Sequence, residues 1–191
     1  ERITKSGKLL YNSIMRDFRI SNPRLAILAL NPKAGDNGLL GSEEQEIITP
    51  AIEALVGEGI QAFGPYPADK FFGDSYWEQF DGILAMYYEQ GLTPFRALTV
   101  EGSVNYLAGL PLICTAPEIT DNLEIAGKNI ADPISMRHAI YLAIDTFRHR
   151  LEYDEPMRNP LQKLYKERRD DSEKVRFSIP KRRDNREGSN D

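Results

Sequence analysis

The chain has 191 residues, 41% of them hydrophobic, and a formal net charge of −5. That length and composition fit a globular domain with room for appendages, and the acidic balance gives no footing for nucleic acid as a partner. Cys114 is the single cysteine, which excludes an internal disulfide and fits a reducing compartment. No apolar run is long enough to span a bilayer and no signal peptide opens the chain, so the expected location is cytoplasmic, with no membrane partner. The chain opens on Glu1 without an initiator Met, as a processed product or a fragment of a longer protein would.

Residues 2–19 read as an amphipathic helix, with Ile3, Leu9, Leu10, Ile14, Met15 and Phe18 near helical spacing. Ser21-Asn22-Pro23 breaks it. Leu25 to Leu30 is a continuous apolar run, the pattern of a strand covered on both faces. A glycine-rich loop, residues 31–41, leads to a second helix that starts near Ser42 and runs to about Val56. Ser42-Glu43-Glu44-Gln45 has the spacing of a capping box, and Gly57-Glu58-Gly59 ends the helix. A strand follows at Gln61–Phe63, then the turn-rich Gly64-Pro65-Tyr66-Pro67. Tyr76–Phe80 reads as a short helix, Gly82–Tyr87 as a buried strand and Pro111–Cys114 as another, while Val104–Leu110 is ambiguous. The last helix spans roughly Pro133 to Leu151, with Pro133 suited to its first turn. Strands alternating with helices give an α/β fold with a mainly parallel sheet flanked by helices.

Residues 1–160 are expected to form the folded domain. Residues 161–191 mix ten basic side chains with acids and hold few apolar ones, so they read as a disordered, solvated tail, or as a basic arm for RNA or another subunit, which the interleaved acids argue against.

Two blocks stand at the ends of buried strands: Asn31-Pro32-Lys33-Ala34-Gly35-Asp36-Asn37-Gly38, and Ala85-Met86-Tyr87-Tyr88-Glu89-Gln90-Gly91. The carboxyl edge of a parallel sheet is where open α/β folds bind ligands. Gly35 and Gly38 permit close backbone approach, and the helix near Ser42 points its first amides into the same space, which favours an anion. The competing reading makes the glycines a plain strand-to-helix turn, and composition leaves both open.

The blocks resemble the metal-site blocks of the PdxA family, the 4-hydroxythreonine-4-phosphate dehydrogenases of vitamin B6 synthesis, in which they read Asn-Pro-His-Ala-Gly and Ala-Met-Tyr-His-Asp-Gln-Gly. The likeness covers about residues 8–150. It includes Gly64-Pro65-Tyr66-Pro67-Ala68-Asp69, Gly91-Leu92-Thr93-Pro94-Phe95, Val104-Asn105 and Gly109-Leu110-Pro111. The resemblance implies an isocitrate/isopropylmalate-dehydrogenase-like fold, of which this chain holds the C-terminal portion, and a homodimer. It also implies NAD-dependent oxidation of 4-phosphooxy-threonine followed by loss of carbon dioxide. A divalent metal held by three histidines from both subunits would polarise the substrate oxygen.

Carried over residue by residue, the resemblance gives a mixed inventory. Arg96 stands at a substrate-contacting lysine and keeps its charge with a different geometry. Asn105 matches a substrate-contacting asparagine. Cys114 stands at a substrate-contacting arginine, so an anion partner is gone. Lys33 and Tyr88 replace two metal histidines, and the third lies upstream of residue 1 in the family's order. Ile119 and Thr120 replace the histidine and glycine of a loop near the nucleotide. His138 and His149 lie eleven apart on the last helix and read as ordinary helix residues, not a ligand pair. Lys33 reads as a solvated loop residue. The sharper reading makes it a fixed charge that offsets Asp36 or Glu89, or holds a phosphorylated ligand without metal.

Three functions follow: a B6-pathway dehydrogenase, a non-catalytic PdxA-like binding or assembly protein, and a metal-independent binder of a phosphorylated small molecule. The replacements at 33, 88, 114 and 119 favour the second and third, and the expectation is an inactive chain. The first helix and an apolar loop at Gly91–Ala97 are the candidate interface pieces, unless an absent N-terminal half covers them.

Overall fold

The computed structural model describes residues 1–99, 102–118 and 123–160. The charged segment 161–191 and the loop positions Ile119 and Thr120 lie outside the described residues. Residues Glu1–Arg158 form one compact unit. In chain order its elements are α1 (Arg2–Asp17), β1 (Arg24–Leu28), α2 (Thr49–Gly57), β2 (Gln61–Tyr66), α3 (Ala68–Gly73), β3 (Gly82–Leu84), α4 (Tyr88–Leu98), β4 (Val104–Tyr106), β5 (Thr115–Pro117) and α5 (Ile134–Arg158).

Three strands make a parallel sheet in the order β2-β1-β3, so the sheet is parallel as the strand–helix alternation implies. β1 is central, and its residues Leu25 to Leu28 are fully buried. Alternate side chains leave opposite faces of a strand, and the apolar run serves both faces. Leu25 and Ile27 pack with Ile14 of α1 and with Ile48, Ile52 and Leu55 around α2. Ala26 and Leu28 pack with Phe71 of α3 and, behind it, Tyr66 and Phe80. An alternating strand could not have filled both layers, which is why this one is apolar throughout.

Several boundaries differ from the sequence reading. The strand expected at Gln61–Phe63 continues through Gly64-Pro65 to Tyr66, which pairs with Leu28 of β1 beyond an irregularity in the register. The strand expected at Pro111–Cys114 lies three residues later, at Thr115–Pro117, where it pairs antiparallel with β4 in a separate two-stranded sheet. The apolar segment Gly91–Ala97 is not a loop but the body of α4, which carries Pro94 inside it. The Ser42 capping box does not form. The Ser42 carbonyl accepts from Gln45 and Glu46, no side chain caps the helix start, and the helix opens with a π-helical turn at Glu44–Ile48. Pro133 precedes the last helix, whose first amide at Ile134 is accepted by Asp132 Oδ1 at 2.9 Å.

α1 packs on α2, β3 and α5 within the chain. Its last residue, Asp17, is 3% exposed, an acid at a helix C-terminus where the dipole disfavours it. Arg150 of α5 answers it. Its Nε donates to Asp17 Oδ1 at 2.7 Å and its Nη2 to Asp17 Oδ2 at 3.2 Å and to the Tyr106 hydroxyl at 2.9 Å. Arg150 Nη1 also donates to the Leu110 carbonyl at 3.2 Å, so one guanidinium joins α1, β4, α5 and the turn after Gly109. His149 and His138, adjacent on α5 to this cluster and to β4, donate from Nδ1 to the carbonyls of Asp17 and Gly102 at 2.8 and 3.1 Å. Each ring thus fastens α5 to backbone of another segment. Among the described residues no helix is long and apolar enough to cross a membrane.

Candidate functional site

β1 and β3 are paired parallel neighbours, with Leu25 opposite Gly82 and Ile27 opposite Leu84. The loop carrying Lys33 and the start of α4 carrying Tyr88 therefore leave the same carboxyl edge of adjacent strands. One buried side chain ties them together. Gln90 Nε2 donates to the Ala29 carbonyl at 2.7 Å, and its Oε1 accepts from the Met86 amide at 2.8 Å. The residue is 8% exposed, so both backbone groups depend on it for partners. Gly91 follows, where a Cβ would come within 3.1 Å of the Ala85 Cβ, and its lack of a side chain lets α4 lie against the end of β3.

Glu44 organises the other loop. Its Oε1 accepts from the backbone amides of Leu30 and Asn31 at 2.9 and 2.7 Å, and its Oε2 from Asn31 Nδ2 at 3.0 Å. Burial pushes the carboxyl's pKa up, but the hydrogen bonds from Asn31 and Leu30 outweigh burial and hold it below the ordinary glutamate range. Between these anchors Lys33, Ala34, Gly35, Asp36 and Asn37 all adopt left-handed backbone. For residues other than glycine each such placement costs about 1–2 kcal/mol, and fixed anchors at both ends are what sustain it. Gly35 is also sterically required, since a Cβ there would lie 2.7 Å from the Gly41 carbonyl oxygen and 2.8 Å from Glu44 Oε2.

Beside α4 lies a half-open cavity of about 580 Å³. Phe72 and Trp77 form one wall, and Leu92, Phe95 and Leu98 project from α4 at helical spacing to form another. Tyr88 stands at it, 71% exposed, and Asn105 and Glu118 reach it from β4 and from just beyond β5.

A family description, "Pyridoxal phosphate biosynthetic protein PdxA", matches residues 1–143. The chain belongs to the PdxA family. It is 50% identical over 177 residues to the 4-hydroxythreonine-4-phosphate dehydrogenase of Bacteroides thetaiotaomicron, covering 93% of this chain and 49% of that protein. That alignment is longer than residues 1–160 and so takes in part of the charged segment. The enzyme of the same name from Caulobacter vibrioides is 46% identical over 143 residues, 43% of its length. Among solved structures, the Klebsiella pneumoniae 4-hydroxythreonine-4-phosphate dehydrogenase aligns with a TM-score of 0.65 at 35% identity, over 76% of this chain and 44% of that one. A Burkholderia xenovorans terephthalate 1,2-cis-dihydrodioldehydrogenase shares the fold, with a TM-score of 0.58 at 24% identity. The chain spans a little under half the length of the relatives it matches.

Within the PdxA frame, the site residues expected from sequence are partly assembled. Tyr88 and Asn105 share the cavity. Arg96 is in the last turn of α4, and its Nη2 donates to Glu118 Oε1 at 2.6 Å. That hydrogen bond, together with the acid's charge, holds Arg96 above the ordinary arginine pKa. Cys114 is half-buried just before β5 and, like Lys33, does not line the cavity. Lys33 is exposed and, among the described residues, pairs with neither Asp36 nor Glu89, so the idea that it offsets their charge finds no contact.

Sequence reasoning missed Glu44, Gln90 and Glu118. Glu44 reads from sequence only as an inner member of the Ser42 capping-box pattern, whereas its oxygens face the preceding loop. Gln90 lay inside a quoted block without a role. A buried glutamine facing a strand end leaves no periodic trace in the sequence.

A divalent metal does not fit the residues present. A protonated lysine offers donors and no lone pair, and a phenol is a weak ligand where the family has imidazole. Among the described residues no three of His, Cys, Asp and Glu converge on a point.

Proposed function

We propose that this PdxA-family chain keeps the family's ligand-binding frame and uses it without a metal, so that it binds a small molecule and does not oxidise it. The observation that carries this reading is the pair at the shared strand edge: Lys33 and Tyr88 occupy both positions at which the family's blocks have histidine, on loops locked together by Gln90. Two further features support it. Cys114 offers no charge where the family has arginine, and Arg96 is engaged by Glu118. A protein of this kind would work in the cytoplasm as a homodimer. The exposed stripe of Ile140, Ile144, Phe147 and Leu151 on α5 supplies apolar surface for association.

The second reading is NAD-dependent oxidation of 4-phosphooxy-threonine in pyridoxal phosphate synthesis, favoured by 50% identity to a relative of that name. The residues that would meet the nucleotide, around Ile119 and Thr120, lie outside the described residues. The two readings separate in one assay. The 191-residue chain is incubated with 4-phosphooxy-threonine and NAD, with and without zinc or magnesium, and NADH is followed. The expected result is no production above background and no calorimetric heat on zinc addition. NADH formation that depends on added metal would refute the proposal. With Lys33→His and Tyr88→His combined, heat on zinc addition is expected to appear.

A further inference from the structure

The cavity beside α4 is electrically unlike a seat for a phosphate ester. Among the described residues no lysine, arginine or histidine lines it. Among the described residues Glu118 is the carboxylate that lines it, and it is bonded by Arg96, so the two charges offset each other at the rim. The remainder is aromatic and branched aliphatic surface, and Tyr88 adds a ring at the very position where the family's block has histidine. A phosphate dianion entering this space would shed hydration against apolar walls, and the guanidinium at the rim, Arg96, is already bonded by Glu118, so the transfer is unfavourable. An uncharged ring would lose little and bury apolar area. The volume, about 580 Å³, lies within the range of drug-sized ligand sites, roughly 300–1,000 Å³. Asn105 is exposed on the cavity wall with amide donors and an acceptor not used elsewhere among the described residues, and it can fix the orientation of a hydroxyl or carbonyl.

We infer that this cavity takes an uncharged aromatic molecule of one or two rings bearing a single polar group, in place of a phosphorylated substrate. The inference rests on the proposed metal-free reading of the same site and names its ligand class. Tyr88 extends the aromatic wall, Leu92, Phe95 and Trp77 supply contact, and Asn105 supplies the one directional bond.

Trp77 is the sole tryptophan of the sequence and lines the cavity, so its fluorescence reports occupancy. The 191-residue chain is titrated with 4-phenylphenol and, separately, with its phosphate monoester, each with and without zinc. The phenol is expected to give a saturable change in Trp77 emission with a dissociation constant at least about tenfold below that of the ester, and zinc is expected to alter neither. Val104→Phe, which fills the cavity with apolar volume, and Leu92→Glu, which places a charge on its wall, should each weaken the phenol about tenfold or more, with circular dichroism verifying the fold. Ester binding as tight as the phenol's without zinc overturns the ligand class and leaves the metal-free reading standing. Ester binding that requires zinc overturns both. The inference also fails if the phenol shows no saturation, or if its binding is untouched in a folded Val104→Phe protein.

Discussion

Replacing Gln90 tests the clasp between the two site loops. In Gln90→Ala the Ala29 carbonyl and the Met86 amide both lose their side-chain partner, at hydrogen bonds of 2.7 and 2.8 Å. The glutamine is 8% exposed, so water reaches these groups poorly. Each orphaned buried group costs about 1–3 kcal/mol, which puts the loss for the two at about 2–6 kcal/mol. With a urea m-value of about 2 kcal/mol per molar, the unfolding midpoint should fall by roughly 1–3 M. Gln61→Ala is the control, because Gln61 is exposed and makes one long contact of 3.5 Å to the Asn22 carbonyl. It should cost less than about 0.5 kcal/mol. Amide exchange adds a local readout: the Met86 amide should lose protection in Gln90→Ala before global unfolding. Gln90→Glu sharpens the test, since a carboxylate can still accept from Met86 but faces the Ala29 carbonyl with no proton to donate. Relative to the parent, that variant should recover stability as the pH falls and the carboxyl protonates. If Gln90→Ala and Gln61→Ala shift the midpoint equally, the clasp is wrong.

Glu44 makes stability depend on acid. Its folded pKa is depressed, so its contribution is complete above the ordinary glutamate pKa of about 4.3 and is lost as the pH drops through the lower folded value. Glu44→Gln should flatten that part of the acid-unfolding curve while lowering stability by about 1–3 kcal/mol at neutral pH. Arg150→Met strands Asp17 and Tyr106 in a buried cluster and should cost about 3–5 kcal/mol in thermal or urea unfolding, whereas combining it with Asp17→Leu should recover part of the loss.

The central sheet was readable because Leu25 to Leu30 is apolar without interruption, and only burial on both faces tolerates that pattern. The two blocks were readable because glycines and strand ends mark them. What stayed hidden was set by tertiary contact. α4 was hidden behind Pro94, whose helix-breaking reputation made Gly91–Ala97 look like a loop. β5 was displaced because pairing with Val104–Tyr106, not local hydropathy, decides which residues extend. The Ser42 capping box had the right spacing, but Glu44 turned toward Leu30 and Asn31 and drew the helix start with it. Asp17 and Arg150, 133 positions apart, carry no local sign that they meet.

The clasp at Gln90 is made to main-chain atoms, and the anchor at Glu44 binds two backbone amides and one asparagine. Neither uses the side chain at 33 or 88. The architecture of the mouth is thus independent of the side chains at 33 and 88. Substitution at either position therefore disturbs none of these contacts, and the shape of the mouth persists whichever chemistry it serves.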